Sequence, residues 1–296
     1  MRNMLEFRDI TIADRPWITA CLQKSDYRGC EYSFANNMAW RRQHGSKIAR
    51  FRDFYLCCAL DTEDGTPSFC FPAGEGDLRE VIAAMQQFSA ELGKPLHIWN
   101  VQPEQLAWLQ GEYRITAEPE RDSWDYLYES EALSRLAGRR FHQKRNFLHR
   151  FAQYHAEITP MTEQDFDDCI TFGALRYNEK LEGDASGISE QFAIDTYFRY
   201  FHELELEGVV LRAEGKLVAF AVGEPLSSDT FCVHIEKADT SYQGAYAAVN
   251  QAFAERIAPR FRYINREEDL GLEGLRKAKM SYHPVMMQEK YHVTFL

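Results

Sequence analysis

The stretch that decides the fold is Phe231-Cys232-Val233-His234-Ile235-Glu236-Lys237, followed after a polar turn by Gly244-Ala245-Tyr246-Ala247-Ala248-Val249-Asn250. Its β-branched and aromatic residues predict a strand in the first part, and apolar residues at three- and four-residue spacing predict a helix in the last part. The unpaired N–H groups and the dipole of such a helix start attract a phosphate, and Gly244 leaves room for one. An ordinary strand, turn and helix, in which the glycine eases the turn, is the alternative.

Length and composition set the broad class. The chain has 296 residues, of which 45% are hydrophobic and 14% aromatic, so we expect two domains with full cores and exclude a disordered chain. Its seven cysteines form no Cys-x-x-Cys pair, which argues against a disulfide framework or a zinc ribbon and favours the cytoplasm. The sequence has neither a long apolar run nor a signal peptide, so we expect no integral membrane segment.

The charge is unevenly distributed along the chain. The net charge is −11, yet residues 132–156 hold six basic and no acidic side chains. A basic island in an acidic protein favours one localised anion site over general coating of nucleic acid. A solvated basic helix face is the alternative explanation.

Hydrophobic periodicity predicts the same order of elements twice: strand, two helices, three strands, helix, strand, helix and strand. We therefore predict an N-terminal domain at residues 1–131, a basic helical connector at 132–156 and a C-terminal domain at 157–296. The repeat lies in the element order and not in the residues, which indicates a duplicated architecture. Residues 180–187 are expected to form a loop.

Three motifs sharpen this interpretation: Gly138–Asn146, His234–Ala238, and Asn265–Lys279 continuing to Tyr282-His283-Pro284. Over nearly the whole chain they resemble the C-terminal domain of phosphatidylglycerol lysyltransferases (DUF2156-like). The resemblance implies an α+β fold of two tandem GNAT-like domains (GCN5-related N-acetyltransferase), each a mixed, mostly antiparallel sheet flanked by helices, with the active site in the second. The membrane enzymes of this family move an amino acid from aminoacyl-tRNA to a lipid headgroup. This chain has no counterpart of their membrane-spanning half, so a small molecule is expected as an acceptor as well as a lipid headgroup.

Three residues are the predicted catalytic groups. Glu236 ends the predicted strand and is expected to take the acceptor's proton, with a surface carboxylate paired to Lys237 or to an arginine as the alternative. His234, two residues earlier, is predicted to share its strand face and either to hold the carboxylate or to accept the proton itself, unless it is a structural histidine. Tyr282 is the predicted proton donor to the leaving group.

Polar residues around the predicted strand 261–265 are expected to bind substrate, because positions just beyond a strand's carboxyl end face the site in sheets of this kind. Glu267 and Asp269 are expected to bind an amino group, although Asp269 can instead cap the following helix. Asn250 and Asn265 interrupt apolar elements, so each is expected to orient a carboxylate or ligand, or to close a local network.

Cations and the helix start are expected to bind phosphate. Arg276 and Lys279 lie one helical turn apart, and the resemblance implies that a lysine of this motif neutralises a phosphate; a solvated helix face is the alternative. Lys144 and Arg145 of the connector are expected to contact the phosphates of a tRNA acceptor end or of coenzyme A. Gln243, Gly244 and Tyr246 complete the predicted set at the turn, with aromatic packing as the alternative for Tyr246.

The predicted function is acyl or aminoacyl transfer to an amine or hydroxyl acceptor, with either aminoacyl-tRNA or acyl-CoA as donor and no firmly implied cofactor or metal. Such a reaction needs two aligned substrates, a base and donors for the developing oxyanion. A tRNA donor implies a steep salt dependence, whereas a CoA donor implies a mild one. A non-catalytic protein that keeps the fold and binds a small metabolite, or an oligomeric scaffold, are the alternatives.

Overall fold

The structure is a computed structural model that describes residues 5–60, 62, 64–178 and 185–296. Part of the predicted loop at 180–187 lies outside these residues, and a helix begins at Ala185. Short 3-10 helices occur at Ile12–Asp14, Cys30–Tyr32, Arg121–Ser123, Arg139–Phe141, Ala152–Tyr154 and Glu163–Asp165. The other elements, in chain order, are β1 (Arg8–Asp9), α1 (Arg15–Ser25), α2 (Phe34–Trp40), β2 (Ser46–Phe51), β3 (Phe54–Ala59), β4 (Ser68–Cys70), β5 (Ala73–Gly74), α3 (Leu78–Glu91), β6 (His97–Val101), α4 (Pro103–Glu112), β7 (Ile115–Pro119), β8 (Asp125–Glu129), α5 (Ser130–Arg135), α6 (His142–Phe151), β9 (Glu157–Pro160), α7 (Phe166–Asn178), α8 (Ala185–Arg199), β10 (Glu207–Ala213), β11 (Lys216–Pro225), β12 (Thr230–Ala238), α9 (Ala245–Ile257), β13 (Tyr263–Asn265), α10 (Glu273–Met280), β14 (Met286–Gln288) and β15 (Tyr291–Phe295).

The chain divides into two compact units. Unit 1 comprises the residues up to Asp125 together with Glu268–Glu273 and Met287–Leu296, and unit 2 comprises Tyr126–Glu267 and Gly274–Met286. The units therefore differ from the continuous ranges predicted from the sequence. Pairing between strands that are distant in the chain causes the difference, because hydrophobic periodicity reports which segments are strands but not which strands they pair with.

The sheet of unit 1 has the order β1-β2-β3-β4-β6-β15-β7, with β5 paired to β3. The C-terminal strand β15 lies antiparallel between β6 and β7, which is why the end of the chain belongs to this unit. Strands β4 and β6 are parallel. The core of the unit lies against this sheet and includes Leu56, Phe69 and Ile98, all fully buried.

The sheet of unit 2 has the order β14-β8-β13-β12-β11-β10-β9. The segment predicted as the last strand of the first half is β8, which pairs antiparallel with β13 here. Strands β10 to β12 are almost continuously buried, as expected for central strands that are covered on both faces. Helix α9 packs its apolar stripe onto this sheet, where Phe253 meets Phe231 edge to face.

Two irregularities of β12 shape unit 2. Its register with β11 shifts between Val222 and Gly223, so that His234 is an extra residue between Val233 and Ile235. Its parallel pairing with β13 ends at Cys232 and Asn265, although β12 continues to Ala238. A bulge and a parting of strands of this kind re-aim side chains and open the sheet locally.

The predicted α+β class and the repeated element order are both confirmed. Within the described part of the chain, no helix combines the length and the apolar character needed to cross a bilayer.

Candidate active site

A buried ion pair connects β12 and β13 of unit 2 where these two strands separate. Arg266 directly follows β13, and its Nη2 lies 2.8 Å from Oε1 of Glu236 on β12; each side chain is 12% exposed. Asn250 of α9 donates its Nδ2 to the other carboxylate oxygen at 3.1 Å. Glu236 is therefore paired with an arginine, as the alternative expected, but it is not a surface carboxylate, and both of its oxygens are engaged. Its neighbour Lys237 pairs instead with Glu190.

Lys144 of α6 joins this pair through an aromatic ring. Its Nζ lies 3.6 Å from the centroid of the Tyr282 ring, and the Arg266 guanidinium lies 4.8 Å from the same centroid. Lys144 also donates to Oγ of Ser281 at 2.6 Å. Burial, with a smaller effect from the charge of Arg266, lowers the pKa of Lys144 to about 8. This lysine therefore exchanges its proton close to neutral pH, as an acid–base group must.

Two polar atoms beside Glu236 have no hydrogen-bond partner among the described residues. They are Nη1 of Arg266, a donor, and Oδ1 of Asn250, an acceptor, and both are buried. Buried polar atoms are nearly always paired. The two atoms therefore mark a place where a water molecule or a polar group of a ligand completes the network.

Tyr282 and Lys279 form the frame of this cluster. Tyr282 is buried, and burial raises the pKa of its hydroxyl, which the charge of Arg266 only partly offsets. Lys279 is also buried; its Nζ donates to the backbone carbonyl of Arg266 at 2.5 Å, and its own carbonyl accepts from Tyr128 at 2.9 Å. The solvated-face alternative is thus wrong for Lys279, which holds the backbone of Arg266. Arg276 is half-buried on the same helix. Its binding to a phosphate stays a prediction.

His234 lies on the other face of the sheet, which corrects the prediction that it shares a face with Glu236. The bulge is the reason, because the extra residue breaks the two-residue alternation. Its Nδ1 lies 2.8 Å from Glu267 and its Nε2 3.3 Å from Glu224, and its ring stacks on Tyr197 of α8.

The surroundings of His234 shift the pKa of its imidazole. Burial alone would lower the pKa of the imidazole, but the neighbouring acidic groups outweigh it and hold the pKa well above its usual value. The raised pKa favours the protonated imidazole, which pairs with both carboxylates. The role of His234 as a proton acceptor stays a prediction.

Among the residues that the structure describes, two groups of side chains have the spacing of metal ligands. In unit 2 these are Cys232, His234 and Glu267, whose ligand atoms lie within 4.8 Å of one another. In unit 1, Cys30, Asp125 and Glu268 are equally close, but Nζ of the buried Lys290 lies 2.7 Å from Asp125 and supplies the positive charge.

The remaining residues around β13 take local roles. Asn265 is fully buried and accepts the backbone N–H of Glu267 at 2.7 Å, so it closes a local network. Asp269 belongs to unit 1, where it pairs with Arg121 at 3.2 Å and accepts the N–H of Gly271 at 2.9 Å. Gly271 lies before α10, so this bond closes a turn ahead of the helix and does not cap it. Glu267 is bound to His234, and amino-group binding by Glu267 and Asp269 stays a prediction.

The glycine at the start of α9 is explained by packing. Gly244 has a φ of +93°, and a Cβ there would lie 2.1 Å from the backbone oxygen of Phe147 on α6. Two nearby amides are engaged: Gln243 donates to the Tyr154 hydroxyl at 3.3 Å, and Ala245 donates to the Tyr242 carbonyl. Phosphate binding at this turn stays a prediction.

Arg145 of α6 and Tyr246 of α9 are the remaining predicted residues of these helices. Arg145 donates to the carbonyls of Leu136 and Gly138 at 2.6 and 2.7 Å, so it holds the segment before α6 in place. Tyr246 is 36% exposed on the first turn of α9.

A mostly apolar groove of about 250 Å³ runs between α6 and α9. None of the ion-pair residues lines it. Its lining includes Leu148, Phe151, Ala152, Ala248 and Ala252.

Arg266 is the functional candidate that the sequence interpretation missed. It lies one residue past β13, so the rule that selected Glu267 also selects it. Glu224 is a second omission, because only the structure shows that β11 brings its carboxylate to His234.

Comparisons with known proteins agree with this architecture. A family described as "Phosphatidylglycerol lysyltransferase, C-terminal" matches residues 23–294. A conserved protein of unknown function from Bacteroides thetaiotaomicron has a crystal structure with a TM-score of 0.92 and 37% identity, covering 99% of this chain and 100% of that one. The C-terminal domain (DUF2156) of a protein described as "Putative Lysylphosphatidylglycerol Synthetase", from Agrobacterium fabrum, has a crystal structure with a TM-score of 0.69 at 13% identity. The match covers 96% of this chain and 92% of that one.

A curated relative is an uncharacterized protein of Mycoplasmoides gallisepticum, 24% identical over 196 residues, or 64% of this chain. The match spans 61% of the length of that relative. The predicted tandem GNAT fold is confirmed. By its sequence match and its fold, the chain belongs to the family of phosphatidylglycerol lysyltransferase C-terminal domains.

Proposed function

We propose that unit 2 transfers an acyl or aminoacyl group to an amine or hydroxyl acceptor. The observation that carries this proposal is the cluster of Glu236, Arg266, Lys144 and Tyr282, found in a chain of a transferase family. The cluster combines a fixed cation, an acid–base group with a pKa of about 8 and an unsatisfied buried donor. These are the elements that acyl transfer needs.

Lys144 is the proposed base. As the acceptor attacks the carbonyl carbon it must lose a proton, and a lysine with a lowered pKa is partly neutral at the pH where this occurs. Arg266 is the proposed donor to the developing oxyanion, because its Nη1 has no partner among the described residues. Glu236 then orients the guanidinium and does not take the proton itself, since Arg266 and Asn250 occupy both of its oxygens.

The donor is either an aminoacyl-tRNA or an acyl-CoA. Exposed cations beside Lys144, namely Arg139, Arg140 and Arg150, favour a polyphosphate donor of either kind. The apolar groove between α6 and α9 is suited to a flexible thioester arm or an acyl chain. Salt separates the two donors, because a tRNA engages several phosphates and a CoA only a few.

The test is transfer by the full-length chain from a panel of radiolabelled aminoacyl-tRNAs and acyl-CoAs to amines, hydroxyl compounds and phosphatidylglycerol vesicles. We expect transfer from one donor class. A rate that falls steeply between about 50 and 200 mM salt identifies tRNA, and a nearly constant rate identifies CoA. If no donor in the panel is bound and none is used for transfer, the proposal is wrong.

A non-catalytic metabolite-binding protein is the second candidate. It is favoured by the closed state of the ion pair, in which both oxygens of Glu236 are bonded and both side chains are nearly buried. Saturable binding of a donor or acceptor without any turnover, unchanged in Lys144→Met, would select this function.

A further inference from the structure

We propose that Cys57 and Cys70 of unit 1 form a redox-active dithiol that hydrogen peroxide converts into an intramolecular disulfide. The two residues lie on the neighbouring antiparallel strands β3 and β4, on which Cys58 pairs with Phe69 and Ala59 with Ser68. Cys57 and Cys70 are the next residues on the two strands, directly beyond the Cys58–Phe69 pair. The inference is independent of the proposed transfer reaction.

The geometry suits a disulfide. Paired residues on antiparallel strands have Cα atoms about 4.5–5.5 Å apart, inside the window of about 4.4–6.8 Å for disulfide-bonded cysteines, and Cys57 and Cys70 adjoin such a pair. The two thiols are already hydrogen-bonded to each other. Both cysteines are free in this structure. Bond formation therefore starts from two thiols that already interact on neighbouring strands.

The neighbouring cysteines differ in reactivity. The hydrogen bond with Cys70 is the largest influence on Cys57 and lowers the pKa of its thiol, outweighing burial. Burial raises the pKa of the adjacent Cys58, which is only 1% exposed. Thiolates and not thiols react with oxidants. Cys70 is half-buried, which gives a molecule as small as hydrogen peroxide a way to the pair.

The chemistry proceeds in two balanced steps. The Cys57 thiolate attacks one oxygen of hydrogen peroxide, the O–O bond breaks, and a sulfenic acid and hydroxide are formed. The Cys70 sulfur then attacks the sulfenic sulfur, expels its oxygen and loses its proton, which leaves a disulfide and water. In sum, two thiols are oxidised and one peroxide is reduced to two water molecules. Any thiol reductant reverses the product to the dithiol.

The test uses the reduced full-length chain, treated with hydrogen peroxide and then alkylated under denaturing conditions. We expect the number of free thiols to fall from seven to five, and non-reducing peptide mapping to show a link between Cys57 and Cys70 that a thiol reductant removes. Cys58→Ser is the matched control and should keep the link. In Cys70→Ser, a dimedone probe should label Cys57, because the sulfenic acid then has no resolving thiol.

Several results would overturn this inference. One is a wild-type chain that keeps all its free thiols at a peroxide concentration that oxidises its methionines. Others are a link that joins a different cysteine or two molecules, or dimedone labelling of Cys58 in place of Cys57. Because the decisive peptide map is made on the wild-type chain, misfolding of a serine variant would not hide the answer.

Discussion

Arg266 and Glu267 are neighbours in the chain, yet they form ion pairs on opposite faces of the sheet of unit 2. Arg266 reaches Glu236 beside α9 at 2.8 Å, and Glu267 reaches His234 beside α8 at 2.8 Å. Both bridges span the place where β12 and β13 part, with the charges in opposite order. The left-handed backbone of Glu267, with a φ of 58°, accompanies this arrangement. The parting strands are thus fastened on both faces by two consecutive residues.

Breaking the first bridge should be costly. Glu236→Gln leaves the Arg266 charge buried without compensation, so we expect a loss of about 3–5 kcal/mol in the free energy of unfolding. Urea denaturation measures it. Glu207→Gln is the control, because it breaks a more exposed pair with Arg260 and should cost less than about 1 kcal/mol. Equal costs for the two variants would show that the Glu236–Arg266 pair is not buried in solution.

The second bridge should make stability depend on pH. The pKa of His234 is raised on folding, so its charge stabilises the fold fully below the unfolded pKa of about 6.5, and this stabilisation is lost as pH rises through the folded pKa. We therefore expect His234→Gln to lower the free energy of unfolding strongly at pH 6 and less at alkaline pH. Denaturant titrations at several pH values measure the difference. A loss that grows with pH would mean that His234 is neutral in the folded chain.

Gly244 provides a test of packing at the start of α9. Gly244→Ala should destabilise unit 2 by more than about 1 kcal/mol, because φ is positive and the new Cβ collides with the Phe147 carbonyl. Gly274→Ala in α10 is the matched control, since nothing lies within 4 Å of its Cβ position, and it should stabilise by up to about 1 kcal/mol. Thermal unfolding of both variants measures these changes in stability. A neutral Gly244→Ala would favour the open turn that phosphate binding requires.

Lys144 should set the pH dependence of transfer. Its neutral form is the proposed base, so activity should rise with pH through about 8, where the ammonium loses its proton. The measurement is the transfer rate between pH 6 and 9.5, with the donor saturating at every pH. A rate that falls through the same range would assign Lys144 the role of an acid.

The element order could be predicted from the sequence because periodicity and capping are local properties. The face occupied by His234 could not, because a bulge adds one residue to β12 and nothing local in the sequence marks it. Glu236, Asn250, Lys144 and Tyr282 were predicted separately, and the structure brings them together around Arg266. The ion pair of Asp269 could not be predicted, because its partner, Arg121, is 148 residues away in the chain.

The most direct test of the proposed site is the single-turnover transfer rate of Lys144→Met, compared with wild type and with Lys277→Met, which removes an exposed lysine of α10. Lys144→Met should fold normally and transfer about 10²-fold more slowly or worse, with the ionisation near pH 8 gone, while Lys277→Met should match wild type. A folded Lys144→Met that transfers at the wild-type rate would contradict the role assigned to this cluster.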